Sequence, residues 1–451
     1  MKRIIPILLC LFLLACVPTP KEEAVVNKAD GTLEQAVTAP KEDSYRYEAP
    51  THWTETIEMK NLNILIDADI VMPETDVYPV QTIERHMFTG EDVLTMLNAC
   101  FSAPFTLREN PYSMAELEDD IRLLLRGEVI DSDDETGELT FAPIDENSEE
   151  LIALREKLAQ CPTEDTFIPF DPSKLAYSNE GYVLRDANGT LLYLQFRKDV
   201  LTVSTVRSSY VQDAKTVYHG GIYGEPWHRT LDKIRITEAE AIAHGEAFLE
   251  KAGLSDQFGV GRCEPGRIVR PAAEEPYYEE PSEGYILMIA RNGGGYVPYP
   301  QGTYYQEDSN SALSKRADES EYFDRWSMDW MELYVSERGV EAASWYDPNA
   351  YVLYANENVR LLPFTEIQAR IRDNLKFSYA WTDENNHRIT ELHVKEIVLS
   401  CSVVRIANNR DEALLAPTWV VVYNNNRSEQ VMGHDSIMLI NAIDGSYLHV
   451  G

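Results

Sequence analysis

The sequence predicts an α+β protein of tandem modules, each an antiparallel β-sheet packed with one or a few helices. Three observations lead to this fold class. Apolar and polar residues alternate over several short stretches, which is typical of strands that bury one face. Stretches with helical spacing and clear N-caps lie among them. The second half of the chain repeats one order of elements, a helix followed by strands and a closing hairpin.

The first unit, residues 46–234, begins with strand periodicity. Apolar residues alternate from Ile57 to Ile70 until Pro73 ends the run, and residues 80–88 predict a second strand. The pair Asn188-Gly189 suits a tight hairpin turn. Further strands are therefore predicted on either side of that turn and after it, at residues 181–185, 191–196 and 200–206.

Three helices in this unit are predicted from their caps. Thr89 precedes a helical pattern and has Asp92 three residues later, and Ser113 repeats the device with Glu116. The second of these helices is expected to end at Gly127. A third helix fits residues 148–160.

The second half contains two further helices. Thr237 caps the first, with Glu240 at the reciprocal position and Gly253 at its end. The second covers residues 365–377 and places Ile367, Ile371 and Leu375 on one face. Strands are predicted after each helix, at residues 284–291, 330–336, 340–345, 392–406, 418–423, 436–442 and 447–450.

This repeat resembles the PepSY-like module, with its capped helix, aromatic-bearing strand and closing D-x-x-x-G type hairpin. The resemblance rests on residues 237–253, 419–423 and 441–445. It implies one PepSY-like module at 235–360 and another at 361–451. It also implies a role in restraining secreted proteases or assisting envelope sensors. A long insertion at residues 292–325 departs from the compact module.

The N-terminus predicts export and lipid anchoring. Lys2 and Arg3 precede an apolar run that ends at Ala15-Cys16, so residues 1–15 read as a signal peptide. Leu13-Leu14-Ala15-Cys16 resembles the lipobox of bacterial lipoproteins, which implies a lipidated Cys16 at the extracytoplasmic face of the cell membrane. The alternative is an ordinary secretory peptide cut elsewhere. Residues 16–45 contain few large apolar side chains and are expected to be a flexible tether. The whole chain looks like uncharacterised multi-domain lipoproteins of Clostridia-like Gram-positive bacteria.

The charge of the chain limits its partners. Its formal net charge is −35, which makes nucleic acid an unlikely ligand and favours cations and basic partners. Besides Cys10 and Cys16 there are four cysteines, Cys100, Cys161, Cys263 and Cys401, without a CxxC pair. An exported compartment permits disulfides without requiring them, so their pairing stays open.

No cofactor and no metal are expected. The acidic loop at 131–138 offers alternate carboxylates, but Thr136 stands where a calcium loop of the EF type needs glycine. Ala142 stands where that loop needs its bidentate acid, so a solvated turn fits better. Zinc-protease, nucleophile-elbow and phosphate-loop motifs are absent from the sequence. We therefore expect the chain not to be an enzyme.

The insertion supplies the predicted partner site. Tyrosine and tryptophan side chains in loops provide large contact areas at modest entropic cost. The predicted contact residues are Tyr296, Tyr299, Tyr304, Tyr305 and Trp326. The alternative is that these rings fold back over the sheet as local core.

These observations predict a non-enzymatic cell-surface lipoprotein that binds or regulates a protein or another envelope component. Its membrane contact is expected to be the lipid anchor. Two alternatives from other classes remain: a lipoprotein that captures a solute for uptake, and a hydrolase of wall or peptide substrates. The first requires a cleft between lobes, and the second requires a cluster of carboxylates or histidines from distant positions.

Overall fold

The computed structural model describes residues 32–127, 129–132, 139–141, 145–207, 210–213, 231–271, 278–300, 328–385, 389–406, 411–426 and 435–448. Within these residues six helices accompany two large sheets that are mostly antiparallel, which confirms the predicted α+β class. The helices are α1 (Thr32–Thr38), α2 (Gly90–Cys100), α3 (Met114–Arg126), α4 (Glu149–Gln160), α5 (Glu238–Ala252) and α6 (Phe364–Asn385).

Twenty strands are described. They are β1 (His52–Glu58), β2 (Asn63–Val71), β3 (Val80–Arg85), β4 (Thr106–Arg108), β5 (Val129–Ser132), β6 (Leu139–Phe141), β7 (Phe167–Pro169), β8 (Ser178–Arg185), β9 (Leu191–Phe196), β10 (Val200–Ser204), β11 (Tyr210–Asp213), β12 (Phe258–Pro271), β13 (Tyr278–Arg291), β14 (Trp330–Ser336), β15 (Gly339–Tyr346), β16 (Asn349–Asn356), β17 (Glu391–Arg405), β18 (Glu412–Asn425), β19 (Ser436–Asn441) and β20 (Tyr447–Leu448).

The two large sheets take their strands from both halves of the chain. Sheet A has the order β1-β2-β17-β18-β19-β20, and β3 joins it by pairing with β18 on one side and β16 on the other. Sheet B has the order β11-β12-β13-β14-β15-β10-β9-β8-β4-β7. Strands β5 and β6 form a separate hairpin. Both large sheets thus cross the predicted domain boundary at residue 234, since β2 runs parallel to β17 and β10 pairs with β15. Sheet A also crosses the predicted boundary at residue 360, because β3 pairs with both β16 and β18.

Each sheet is covered by helices on one face. Ile367, Ile371 and Leu375 on α6 are fully buried in the core of sheet A, as their helical spacing predicts. In sheet B the apolar residues of α2 and α5, such as Leu97 and Phe248, pack into one core with the strands. Each core thus fixes its helices against the strands that they cover.

The predicted repeat has a structural counterpart. Helix α5 is followed by four strands that lie side by side in chain order, β12 to β15, and α6 is followed by β17 to β20 in the same arrangement. The closing hairpins turn at Gly339 and Gly445, whose φ angles of 93° and 70° favour glycine. The PepSY-like assignment of these units stays a prediction.

The predicted helix caps are confirmed. Thr89, Ser113 and Thr237 each accept a hydrogen bond from the backbone three residues later, and the acid at that position bonds back to the cap. Gly253 ends α5 in the left-handed region with φ of 69°.

The structure differs from the sequence predictions in three respects. The apolar alternation at 57–70 belongs to two antiparallel strands, β1 and β2, because the chain turns at Lys60-Asn61 within the run. Helix α6 extends past the predicted end at residue 377 to Asn385. Strands β12 and β16 and helix α1 were not predicted, and α1 lies inside the segment expected to be a tether.

Candidate functional site

The two described tyrosines of the aromatic insertion are buried. The Tyr296 hydroxyl donates to the Pro79 carbonyl at 2.9 Å, and its ring lies in the core of sheet A. Tyr299 packs on the opposite face of that sheet and accepts a hydrogen bond from Arg262 at 3.1 Å. Both rings therefore occupy local core, the alternative left open by the sequence.

The other predicted site residues lie outside the described residues. These are Cys16, Tyr304, Tyr305 and Trp326, together with most of the acidic loop. In the described ranges, no three side chains of His, Cys, Asp or Glu are grouped so that they could hold a metal ion. None of the helices in those ranges combines the length and apolar composition that a membrane span requires.

The four described cysteines are free thiols. Burial raises the pKa of Cys401 and that of Cys263, each to about 12. Burial also raises the pKa of the Cys100 thiol. Because the thiolate is the reactive form of cysteine, these three side chains are poor nucleophiles at neutral pH.

A buried polar cluster at the end of β13–β15 is the arrangement most like a catalytic site. Ser282 donates to Oε1 of Glu341 at 2.6 Å and accepts from the Tyr334 hydroxyl at 3.1 Å. Ser336 donates to the same carboxylate oxygen. The side chains of this cluster are less than one-tenth exposed, so a substrate has no access to the Ser282 hydroxyl. The cluster satisfies buried polar groups and holds three strands together.

Strand β16 carries the longest run of consecutive exposed large apolar side chains among the described residues. Four consecutive side chains, Tyr351, Val352, Leu353 and Tyr354, are 36%, 37%, 51% and 46% exposed. Strand residues usually alternate between a buried and an exposed face. Here side chains on both faces of the strand are partly exposed, and we call these four residues the β16 edge.

The pairing of β16 explains this exposure. Among the described residues β16 pairs with β3 alone, so its other side is an edge of sheet A. The register with β3 shifts between Tyr351 and Leu353 and again between Tyr354 and Asn356. Such bulges interrupt the regular ladder and increase the local twist.

The N-terminal end of β16 is fixed by a buried ion pair. Asn349, its first residue, donates its backbone N–H to Asp329 at 3.3 Å, and its carbonyl accepts from the Arg291 guanidinium. Asp347 just before it has φ of 48°, which together with Pro348 makes the turn from β15. The strand therefore starts from a rigid point in sheet B.

The C-terminal end of β16 is fixed by the N-terminal arm, which we define as residues 32–48. The side-chain amide of Asn356 donates to the carbonyls of Ala36, Val37 and Ala39 at 3.2, 3.4 and 3.1 Å. These carbonyls include the last ones of α1, which have no partner within the helix. Asn356 thus caps α1 and places the arm beside the end of the β16 edge.

The rest of the arm is bonded to the connection between β16 and α6. The Asn358 amide donates to the carbonyls of Glu42 and Asp43 at 3.2 and 3.0 Å. The hydroxyls of Tyr45 and Tyr47 donate to the carbonyls of Val359 and Leu362 at 3.1 and 2.6 Å. Burial raises the pKa of both tyrosines, so both remain protonated donors at neutral pH. Residues 32–45, predicted as part of a flexible tether, are therefore held against sheet A.

A glycine turn of the insertion lies beside the edge. Gly294 and Gly295 are exposed and have positive φ angles. A Cβ atom at Gly294 would lie 3.2 Å from the Tyr354 hydroxyl oxygen. The insertion thus reaches the exposed surface through its glycines, while its described tyrosines are buried.

Sequence patterns did not single out the β16 edge. The run Tyr351-Val352-Leu353-Tyr354 has no polar alternation, which is typical of a strand buried on both faces. Its exposure depends on pairing with β3, whose residues are far away in the chain. The tyrosine at each end of this apolar run, with its polar hydroxyl, was the signal that could have indicated an exposed strand.

Comparisons with known proteins assign neither a family nor a function to the chain. No protein-family model matches the chain, and no curated protein matches it. The crystal structure of an uncharacterized protein from Eubacterium rectale ATCC 33656 resembles it at 14% sequence identity with a TM-score of 0.46. The match covers 93% of this chain and 99% of that chain. The function of the chain is therefore inferred from its own residues.

Proposed function

We propose that the protein is a non-enzymatic binding protein of the cell surface that holds a protein partner at the β16 edge. The observation that carries this proposal is the run of four exposed apolar side chains on one strand. Contiguous exposed apolar surface on a soluble protein commonly marks an interaction site. Large aromatic residues such as Tyr351 and Tyr354 are enriched in protein interfaces.

The β16 edge offers two kinds of contact to a partner. Its outer backbone groups face away from β3 and can pair with an extended segment. Its side chains extend on both faces of the strand, so a partner can contact them from either face of sheet A. Because the bulges shorten any regular ladder, we expect the side chains of Leu353 and its neighbours to supply most of the binding free energy.

The edge is pre-formed for binding. Asn349 and Asn356 are fixed at the two ends of β16, by the Arg291–Asp329 pair and by the N-terminal arm. A strand that is already ordered loses little conformational entropy when a partner binds. This arrangement supports a binding role better than a mobile loop would.

Export and lipid anchoring belong to the same proposal. If Cys16 carries the lipid, roughly 16 residues connect the membrane to α1, and at ~3.5 Å per residue they span at most about 55 Å. Because α1 lies at the end of β16, the binding edge stays near the membrane surface. A partner in the cell envelope is then within reach.

A photo-crosslinking amino acid at position 353, compared with one at position 152, tests the proposal in the native cell. Ile152 is 44% exposed on α4 and is the matched control for Leu353. We expect a crosslinked product of one defined mass from position 353, absent from position 152 and lost when Tyr354→Ser is added. Equal products from both positions, or no product at 353, would contradict the proposal.

A further inference from the structure

The charges beside the β16 edge define the chemistry of its partner. Strand register places Leu353, Thr82 and Leu414 in one row across β16, β3 and β18. The same register places Ala350, Glu84 and Glu412 in another row. Paired residues of a sheet share a face, and side chains two residues apart along a strand share it too.

Two carboxylates therefore lie on the same face of sheet A as Leu353. Glu84 is exposed at the centre of its row, next to Ala350 on the edge strand. Glu412 lies directly across from Glu84 on β18. A ligand strand beside β16 thus places the side chains on its Leu353 face about 10 Å from the row of Glu84, two strand spacings away.

A second copy of this chain fits the edge poorly. Each copy carries a formal net charge of −35, so repulsion between like charges opposes the pairing of two β16 edges. The two bulges also prevent a continuous ladder between identical strands. Both features favour an occupant of different sequence and opposite charge.

We infer that the β16 edge takes an extended segment of another protein in which apolar residues alternate with lysine or arginine. This inference rests on the proposed function. The apolar side chains of the segment pack on Tyr351 and Tyr354, which share one face of the edge. Its lysine or arginine side chains project to the other face, where their alkyl stems contact Leu353 and their charges are attracted by Glu84. Charge attraction accelerates encounter, and apolar contact gives the complex its lifetime.

Two synthetic peptides of equal length test the inference with the purified chain. One alternates valine with lysine and the other alternates valine with glutamate, and fluorescence anisotropy measures the dissociation constant of each. We expect the lysine peptide to bind and the glutamate peptide not to bind. High salt should weaken the binding of the lysine peptide without abolishing it, because the apolar contacts persist.

Matched substitutions locate the binding. We expect Leu353→Ser to weaken the affinity for the lysine peptide by roughly tenfold, and Ile152→Ser to leave this affinity unchanged. Glu84→Gln should weaken it by about two- to fivefold, whereas Glu150→Gln, an exposed acid on α4, should not. Circular dichroism of each variant verifies that the fold is retained.

The outcomes separate this inference from the proposed function. If both peptides bind equally and Leu353→Ser weakens both, the edge binds proteins but the charge preference is overturned. If the lysine peptide binds and neither Leu353→Ser nor Glu84→Gln affects it, binding is diffuse and both ideas fail. No binding of the lysine peptide, or a dimer in sedimentation that Leu353→Ser dissociates, overturns the inferred partner.

Discussion

Arg291 and Asp329 form an ion pair that is shielded from solvent, with Nη2 2.9 Å from Oδ2 and side-chain exposures of 1% and 0%. The guanidinium also lies over the Phe258 ring at 4.7 Å. The Arg291 carbonyl accepts from the Cys401 thiol of sheet A at 3.5 Å. Arg291 thus connects the end of β13, the start of β16 and strand β17.

Breaking this pair should destabilise the protein strongly. Arg291→Met leaves the Asp329 carboxylate buried without its cation, and we expect the free energy of unfolding to fall by about 3–5 kcal/mol. Chemical denaturation measures the change. The control is Arg122→Met, which removes an exposed pair with Asp119 and should cost less than about 1 kcal/mol. Equal effects of the two substitutions would contradict this reading of the pair.

The pair of His86 and Asp92 should make stability depend on pH in two windows. The hydrogen bond to Asp92 raises the pKa of His86 above its ordinary 6.5. Burial raises the pKa of Asp92, but hydrogen bonds from His86 and Thr89 outweigh burial and hold this pKa below 3.8. The contribution of His86 is complete below the unfolded pKa and is lost as pH rises through the folded value. That of Asp92 is complete above its unfolded pKa and is lost as pH falls.

Thermal unfolding from pH 3 to 9 measures this dependence. We expect His86→Asn to remove part of the decline above about pH 6.5, by about 1 kcal/mol or less, because both side chains are partly exposed. The loss of stability at acid pH should largely persist in His86→Asn, because carboxylates other than Asp92 also contribute to it. If the decline of stability above about pH 6.5 is unchanged in His86→Asn, this histidine does not cause that decline.

The N-terminal arm should contribute to stability through Asn358. Its Oδ1 accepts from the Tyr78 backbone at 2.8 Å, and its Nδ2 bonds two carbonyls of the arm. We expect Asn358→Ala to lower the free energy of unfolding by about 1–3 kcal/mol, since buried partners lose their bonds. Limited proteolysis should then cut within residues 32–48 earlier than in Asn147→Ala, a substitution at an exposed asparagine. Unchanged protection of the arm would contradict its anchoring by Asn358.

Ser400 should be dispensable for stability. Its hydroxyl is fully buried and has no hydrogen-bond partner among the described residues, whereas the adjacent Thr418 donates to the Ala416 carbonyl at 3.0 Å. We expect Ser400→Ala to leave the free energy of unfolding unchanged or to raise it by up to about 1 kcal/mol. Thr418→Val should lower it by about 1 kcal/mol, because the Ala416 carbonyl loses its donor. Denaturant titration distinguishes the two, and a clear loss of stability in Ser400→Ala would refute the assignment.

Local features of the fold could be predicted from the sequence. The caps at Thr89, Ser113 and Thr237 depend on residues three positions apart, so their pattern is complete within a few residues. The helix of each repeat and the strands after it, apart from β12, follow from periodicity within each segment. For the same reason, the helical face of Ile367 and Ile371 could be assigned to the core.

Features that depend on distant pairing could not be predicted. The exposure of Leu353 follows from β16 being an edge strand, which requires knowing that β3 is its neighbour. The burial of Tyr296 follows from the fit of its hydroxyl to Pro79, far away in the chain. Periodicity contains no information on which strand lies next to which, so the candidate site appears only in the folded chain.

Covalent surface labelling of intact cells, compared with the purified chain, tests the binding role of the β16 edge most directly. A carbene label should modify Leu353 and Tyr354 several-fold less in cells than in the pure protein, because a bound partner covers them. Phe377, which is 61% exposed on α6, should be labelled equally in both and serves as the internal reference. Equal labelling of Leu353 in cells and in pure protein would contradict the account.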